Sequence, residues 1–345
     1  MKTRFPIYAW SVLVFHLAAV LWGAFVRASG SGAGCGDHWP LCNGQIVPTA
    51  PLNATIIEFS HRVTSGMALV SVLVLVIWAF RIFPRGYGVR AGAILTLVSA
   101  VTECAIGAAL VLLRLVAANE SLSRGLWLAA HLINTLFLLA ALSITAWLAT
   151  TSGQRGVRYP QLPRVRQVLA LSIAGFLSVV ILGGFAALGD TLVVATSLTE
   201  SIRQDICAFS NIFVRLRILH PIVAGVLGAC LLVLAFRVNA STSANAVAKR
   251  LGGTVAVLAL FQFSLGSADV VLKTPIWLQL LHLLTADLLW IAFVLLAAEL
   301  LPWTRRDATE GSQRIPTGYA TVSLSECRLV RQRAARISPI TTKPT

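Results

Sequence analysis

A chain of 345 residues with 57% hydrophobic and 12% charged residues, and a mean hydropathy of +0.81, is too apolar for a soluble domain of its length. Its apolar runs are long enough to cross a bilayer, so the expected class is an all-α polytopic membrane protein. The formal net charge of +15 is read as topology and attraction to anionic lipid, not as nucleic-acid binding.

Eight spans are expected, at about 7–27, 56–80, 91–116, 125–149, 166–188, 213–237, 250–272 and 276–301. Positive charge accumulates on the cytoplasmic side of a membrane protein. Here Lys2 and Arg4, Arg81 to Arg90, Arg155 to Arg166, Arg237 to Arg250 and the tail together hold twenty of the 28 Lys and Arg residues. Both termini are therefore expected in the cytoplasm. No cleavable signal or Arg-rich amphipathic transit segment precedes the first span, which points to a prokaryotic plasma membrane.

The first span ends in Gly23-Ala24-Phe25-Val26-Arg27 and opens into a glycine-rich outer loop containing Cys35 and Cys42. Two cysteines in one short loop on the oxidising face are expected as a disulfide; a redox-active pair is the alternative reading. The second span opens with Glu58-Phe59-Ser60-His61-Arg62. On a helix Glu58 and His61 sit three apart and look into the same space. Ionisable groups are costly in lipid and mark function, although Glu58 could simply pair with Arg62 or Arg27.

A histidine recurs in every even-numbered span: His61, His131, His220 and His282. Each falls within about seven residues of the outer entry, roughly 10 Å of depth at 1.5 Å per residue, so the four form one layer near the outer face. His61 and His220 are 159 residues apart, and His131 and His282 are 151 apart, which maps spans one to four onto five to eight. Gly66 and Gly225, Gly23-Ala24-Phe25 and Gly183-Gly184-Phe185, and Glu103-x-x-x-Gly107 and Gln262-x-x-x-Gly266 follow the same correspondence. The expected architecture is two parallel-repeat four-helix bundles, residues 1–150 and 151–301.

Two histidines on facing helices at one depth are what axial ligation of a haem requires, with an apolar slot for the macrocycle. His16 and His38 fall outside the pattern and are read as a buried polar contact and a loop residue. Three residues before its histidine, the first half has Glu58 where the second has Arg217. The leading span of the first half ends in Arg27, against Ala187 in the second. A carboxylate beside a haem can exchange protons, and an arginine suits a propionate, although Arg217 could also be an interface residue that snorkels. The first bundle is thus read as reactive and the second as holding a resident cofactor, with Arg27, Arg62 and Arg217 as propionate- or proton-related groups.

The loop Gly30 to Gly44, the run Glu58 to Arg62 and the single histidines of spans four, six and eight resemble the haem A synthase family over roughly residues 7–301. The resemblance implies conversion of haem O to haem A, by oxidation of a ring methyl to a formyl group through successive hydroxylations and loss of water. It further implies haem B as cofactor on His220 and His282, substrate haem O on His61 and His131, Glu58 as the catalytic carboxylate, and a redox role for Cys35 and Cys42. Implied partners are haem O synthase, which is protohaem farnesyltransferase, and the assembly route of cytochrome oxidase. Some relatives carry a second cysteine pair between spans five and six; this chain has only Cys207 there, so that loop forms no internal disulfide.

Residues 302–345 read as a disordered basic cytoplasmic tail that touches anionic lipid. No nucleotide, flavin or iron-sulfur motif is present, so electrons are expected from an external donor. The rival readings are a di-haem b-type electron-transfer cytochrome and, less well matched, a transporter. The oligomeric state, including a homo-oligomer, is left open.

Overall fold

The structure is a computed structural model that describes residues 4–49, 51–117, 119–151, 164–193, 200, 203–205, 207, 210–242 and 244–301. The expected tail at 302–345, and most of the loop that precedes Cys207, lie outside these residues. Among them the chain is almost entirely helical, and the sole bridge is an isolated antiparallel pair, Cys42 with Gln45.

The helices are α1 (Phe5–Ala28), α2 (Asn53–Ile82), α3 (Gly88–Leu112), α4 (Leu122–Thr150), α5 (Val165–Leu192), the short α6 (Ile212–Leu216), α7 (Leu219–Ala240), α8 (Ala246–Val271) and α9 (Ile276–Leu300). Counting Ile212–Ala240 as one crossing, eight helices among the described residues are long and apolar enough to span a bilayer. The chain is a multi-pass membrane protein.

Local chemistry accounts for the ends. Pro6 opens α1, where its missing N–H costs nothing. Ser121 caps α4 by accepting from the Arg124 amide, and Asn245 caps α8 by accepting from Ala248. The third span stops at Leu112, four residues short of the expected end, where the chain turns through Leu113 and Arg114. The sixth span breaks at Arg217 and Ile218, between α6 and α7. Pro221 explains this: it has no N–H for the Arg217 carbonyl, and its ring crowds that carbonyl, so the helix restarts at Leu219.

Helix neighbours run α1 to α2 to α3 to α4 and back to α1, and likewise α5 to α7 to α8 to α9 and back to α5. The two sets meet where α4 packs on α5 and α9, and where α1 touches α9. In α4 and α9, 56% of the most apolar window is buried, against 17% in α3 and α8, so α4 and α9 are central and the others face lipid. Phe176 of α5 stacks edge-on against Trp290 of α9 with ring centres 4.9 Å apart, and Trp290 Nε1 donates to the Leu136 carbonyl of α4 at 2.8 Å. Burying an indole in this way requires its N–H to find an acceptor, and the seam supplies one.

Candidate functional site

The outer loop after α1 is tied down on the first turns of α2. Cys35 and Cys42 form a disulfide, and both are buried, at 0% and 1% exposure. Thr55 Oγ1 donates to the Gly34 carbonyl at 2.7 Å. A Cβ on Gly34 would lie 2.3 Å from the Ala54 carbonyl oxygen, so only glycine lets the loop approach so closely. Further out, Asp37 pairs with Arg114, whose guanidinium holds the Asp37 carboxyl below the usual carboxylate range.

Glu58 lies under this loop, 4% exposed. One carboxylate oxygen accepts the Cys35 amide at 2.8 Å; the other accepts Arg62 Nε at 3.1 Å and Nη2 at 2.5 Å. Arg62 Nη1 also donates to the carbonyls of His38 and Leu41, at 2.6 and 2.7 Å. The ion pair with Arg62, which the sequence raised as an alternative, is therefore present, and it clamps the disulfide loop over Glu58.

Each of the four repeated histidines lies against a glycine of a neighbouring helix. A Cβ on Gly23 of α1 would come within 2.9 Å of His61 Cε1, and one on Gly183 of α5 within 2.9 Å of His220 Cε1. Gly266 of α8 stands in the same relation to His282 at 2.9 Å, and Gly107 of α3 to His131 at 3.8 Å. His220 and His282 face each other with ring centres 6.4 Å apart, and His61 and His131 lie within electrostatic range of each other. The Nδ1 atoms of His61, His131 and His282 are buried without a hydrogen-bond partner among the described residues. Imidazoles left with an unused nitrogen, and backed by α-carbons that leave room for the ring, suit two pairs of iron ligands.

Other groups complete the surroundings. Glu103 of α3 accepts from Asn134 and Thr135 of α4 and lies 3.5 Å from His131 Nδ1; Gln262 of α8 contacts a ring nitrogen of His282 at 3.2 Å. Arg27 reaches across the seam, donating to the Ala187 carbonyl at 2.8 Å, Thr191 Oγ1 at 3.1 Å and Gln279 Oε1 at 3.2 Å. Arg217, freed by the break before α7, pairs with Asp190 at 2.9 Å and with Asp205. His16 is buried at 4% exposure with Nδ1 2.8 Å from the Val12 carbonyl, and His38 sits in the exposed loop beside Asp37, as the sequence suggests for both. Sequence reasoning paired Glu103 with Gln262 and Gly23 with Gly183 as repeats but gave them no role. Asp190, Asp205 and Gln279 carried no motif signal, because polar residues scattered in apolar helices have no period to read.

Comparison with known proteins bears on this arrangement. The family model for COX15-CtaA, cytochrome oxidase assembly protein, matches residues 6–294. A Thermus thermophilus protein named Protoheme IX farnesyltransferase is 41% identical over 322 residues, covering 92% of this chain and 51% of its own length. Heme A synthase of Alkalihalophilus pseudofirmus is 44% identical over 81 residues, 24% of this chain and 27% of that one. Heme A synthase of Geobacillus kaustophilus is 42% identical over 111 residues, 32% and 35% of the two chains. The chain thus spans about half the length of the Thermus relative and matches a smaller share of the two synthases. With the match running through nearly all the described helices and every paired histidine, the chain belongs to the COX15-CtaA family of cytochrome oxidase assembly proteins.

Proposed function

We propose that this protein is a haem A synthase, oxidising the ring methyl of haem O to a formyl group. The observation that carries the reading is the asymmetry of two otherwise matching histidine pairs: each is backed by glycines, but Glu103 stands 3.5 Å from His131 Nδ1 where the amide of Gln262 contacts His282, and Glu58 precedes His61 by three residues where Arg217 precedes His220. A di-haem b-type electron-transfer cytochrome needs no such difference between its sites. The names of two partly matching relatives, both Heme A synthase, support the reading.

In this reading the two four-helix sets are parallel repeats, residues 1–150 and 151–301. His61 and His131 hold substrate haem O, and His220 and His282 hold haem B. Bound haem B supplies one-electron transfer to the first site. Oxidation of the methyl takes two hydroxylations, each consuming one oxygen molecule, two electrons and two protons and releasing one water. The resulting gem-diol loses water to give the formyl group. Glu58 is the proton-exchanging group, since it is held beside His61 on α2 and kept in place by Arg62 and the Cys35 amide. Arg62 orients Glu58, and Arg217, close to His220 and already charge-paired, is the propionate-related group of the second site. Arg27 links the two sites across the seam. The buried Cys35–Cys42 disulfide acts as a staple for the loop, because a pair at 0% and 1% exposure offers a thiol partner no line of approach.

The membrane is the bacterial plasma membrane, with both termini in the cytoplasm, the histidine layer near the outer face, and an external donor supplying electrons. Haem O synthase is the natural upstream partner. A relative named for farnesyl transfer matches this chain over only 51% of its length, which leaves room for a second activity on the same polypeptide. The product serves cytochrome oxidase assembly, in keeping with the family.

The test is Glu58→Gln in cells that make haem O but no haem A of their own. The variant is expected to keep haem B at the second site and to lose haem A output by about two orders of magnitude or more, within the range for a lost acid–base group. Haem A output equal to that of the unmodified protein would remove Glu58 from the mechanism.

A further inference from the structure

The two histidine pairs differ in how their rings are supported, and this bears on which ligand can leave the iron. Iron-bound histidines hand their outer N–H to an acceptor that fixes the ring, and a carboxylate acceptor also makes the imidazole a stronger electron donor. In the second site the groups nearest the rings are neutral. His220 Nδ1 lies 3.2 Å from the Val179 carbonyl. His282 Nε2 lies 3.2 Å from the Gln262 amide, a neutral group, and its Nδ1 is buried without a partner among the described residues.

The first site is built differently. Glu103 occupies the position that Gln262 holds in the second site, and it is locked from two directions. Asn134 Nδ2 donates to one oxygen at 2.6 Å and Thr135 Oγ1 to the other. Both donors lie on α4, within four residues of His131. The oxygen that takes the Thr135 proton also stands 3.5 Å from His131 Nδ1, an ion-pair distance that a small ring rotation on coordination closes to a hydrogen bond. His61 has no counterpart. Its Nδ1 is buried with no partner among the described residues, and the carboxylate three residues before it is taken up by Arg62 and the Cys35 amide.

We infer that the first site has one fixed and one exchangeable iron ligand: Glu103, as a positioning residue, anchors His131 to the haem O iron, and His61 is the ligand that yields its place to oxygen. The inference rests on the haem reading of the first site. It separates two sites built on the same two-histidine plan by charge: a carboxylate stands at His131 where a neutral amide stands at His282.

The test uses the full chain, purified with haem in both sites, reduced, exposed to carbon monoxide as the probe for an open position, then photolysed and followed by resonance Raman. One carbon monoxide per chain is expected. The iron–histidine stretching band is expected to persist in His61→Ala, to vanish in His131→Ala, and to move to lower frequency in Glu103→Gln with partial return in Glu103→Asp. The first-site potential is expected to rise in Glu103→Gln, since a negative charge near the iron favours its oxidised form. The low-spin spectrum of the second site, unchanged in each variant, shows that the fold is intact. A band that survives in His131→Ala, or stays at its original frequency in Glu103→Gln, overturns the inference and leaves the haem reading standing. If neither His61→Ala nor His131→Ala alters haem content or carbon monoxide uptake, the first-site haem reading fails, and the inference with it.

Discussion

At Gly23 and Gly183 one added carbon decides whether an imidazole keeps its place. A Cβ at either position would come within 2.9 Å of a histidine ring, and overpacking of this kind costs about 1–3 kcal/mol. Gly23→Ala is expected to reduce haem O retention, Gly183→Ala to reduce resident haem B, and Gly228→Ala, which has open space around it, to change neither. Haem stoichiometry per chain, measured by absorption, checks all three; equal haem loss in Gly228→Ala would show that the effect is not steric. These contacts mark the limit of what the sequence reveals. The four histidines and Glu58 stand out because ionisable groups are rare in apolar helices. Gly66 and Gly225, which follow the histidines at equal spacing, prove to have open space around them. The glycines that matter lie on neighbouring helices, and a spacing along one chain carries no record of which helices touch.

At the level of elements, the outer loop is the part whose local structure most directly controls the candidate chemistry. Its disulfide closes a loop of seven residues' separation, worth roughly 2.5 kcal/mol by loop-closure entropy. Cys35 also gives its amide to Glu58, and a hydrogen bond to a charged group contributes about 1.5–3 kcal/mol. The double variant Cys35→Ser with Cys42→Ser is expected to open the loop to protease and to lower haem A output by roughly tenfold to a hundredfold through Glu58. Unchanged output with a cleavable loop would separate the staple from catalysis. The eight spans were legible because a bilayer requires about 20 apolar residues per helix, a constraint that composition alone satisfies. The break before α7 was less so: an interior proline announces it, but the apolar run over about 213–237 reads as a single crossing.

Over the whole molecule, α4 and α9 form the seam, and polar contacts tie it at both ends. At one end Arg27 crosses from α1 to α5 and α9; at the other Glu299 of α9 accepts from Trp147 of α4 and from Asn245. Each histidine pair has one member on this central helix pair, His131 on α4 and His282 on α9, so the proposed electron transfer between sites would be a property of the assembled bundle. Composition and the histidine repeat were enough to anticipate this class of molecule, whereas the cross-seam contacts depend on tertiary geometry alone. The central claim is that one pair binds a haem that is kept and the other a haem that is changed. Chromatographic identification of haems extracted from the purified protein, expressed in cells that make haem O but no haem A of their own, tests it most directly. Haem B together with haem A or a hydroxylated intermediate is the predicted result. Haem B alone, near two per chain, would contradict the account and leave an electron-transfer cytochrome in its place.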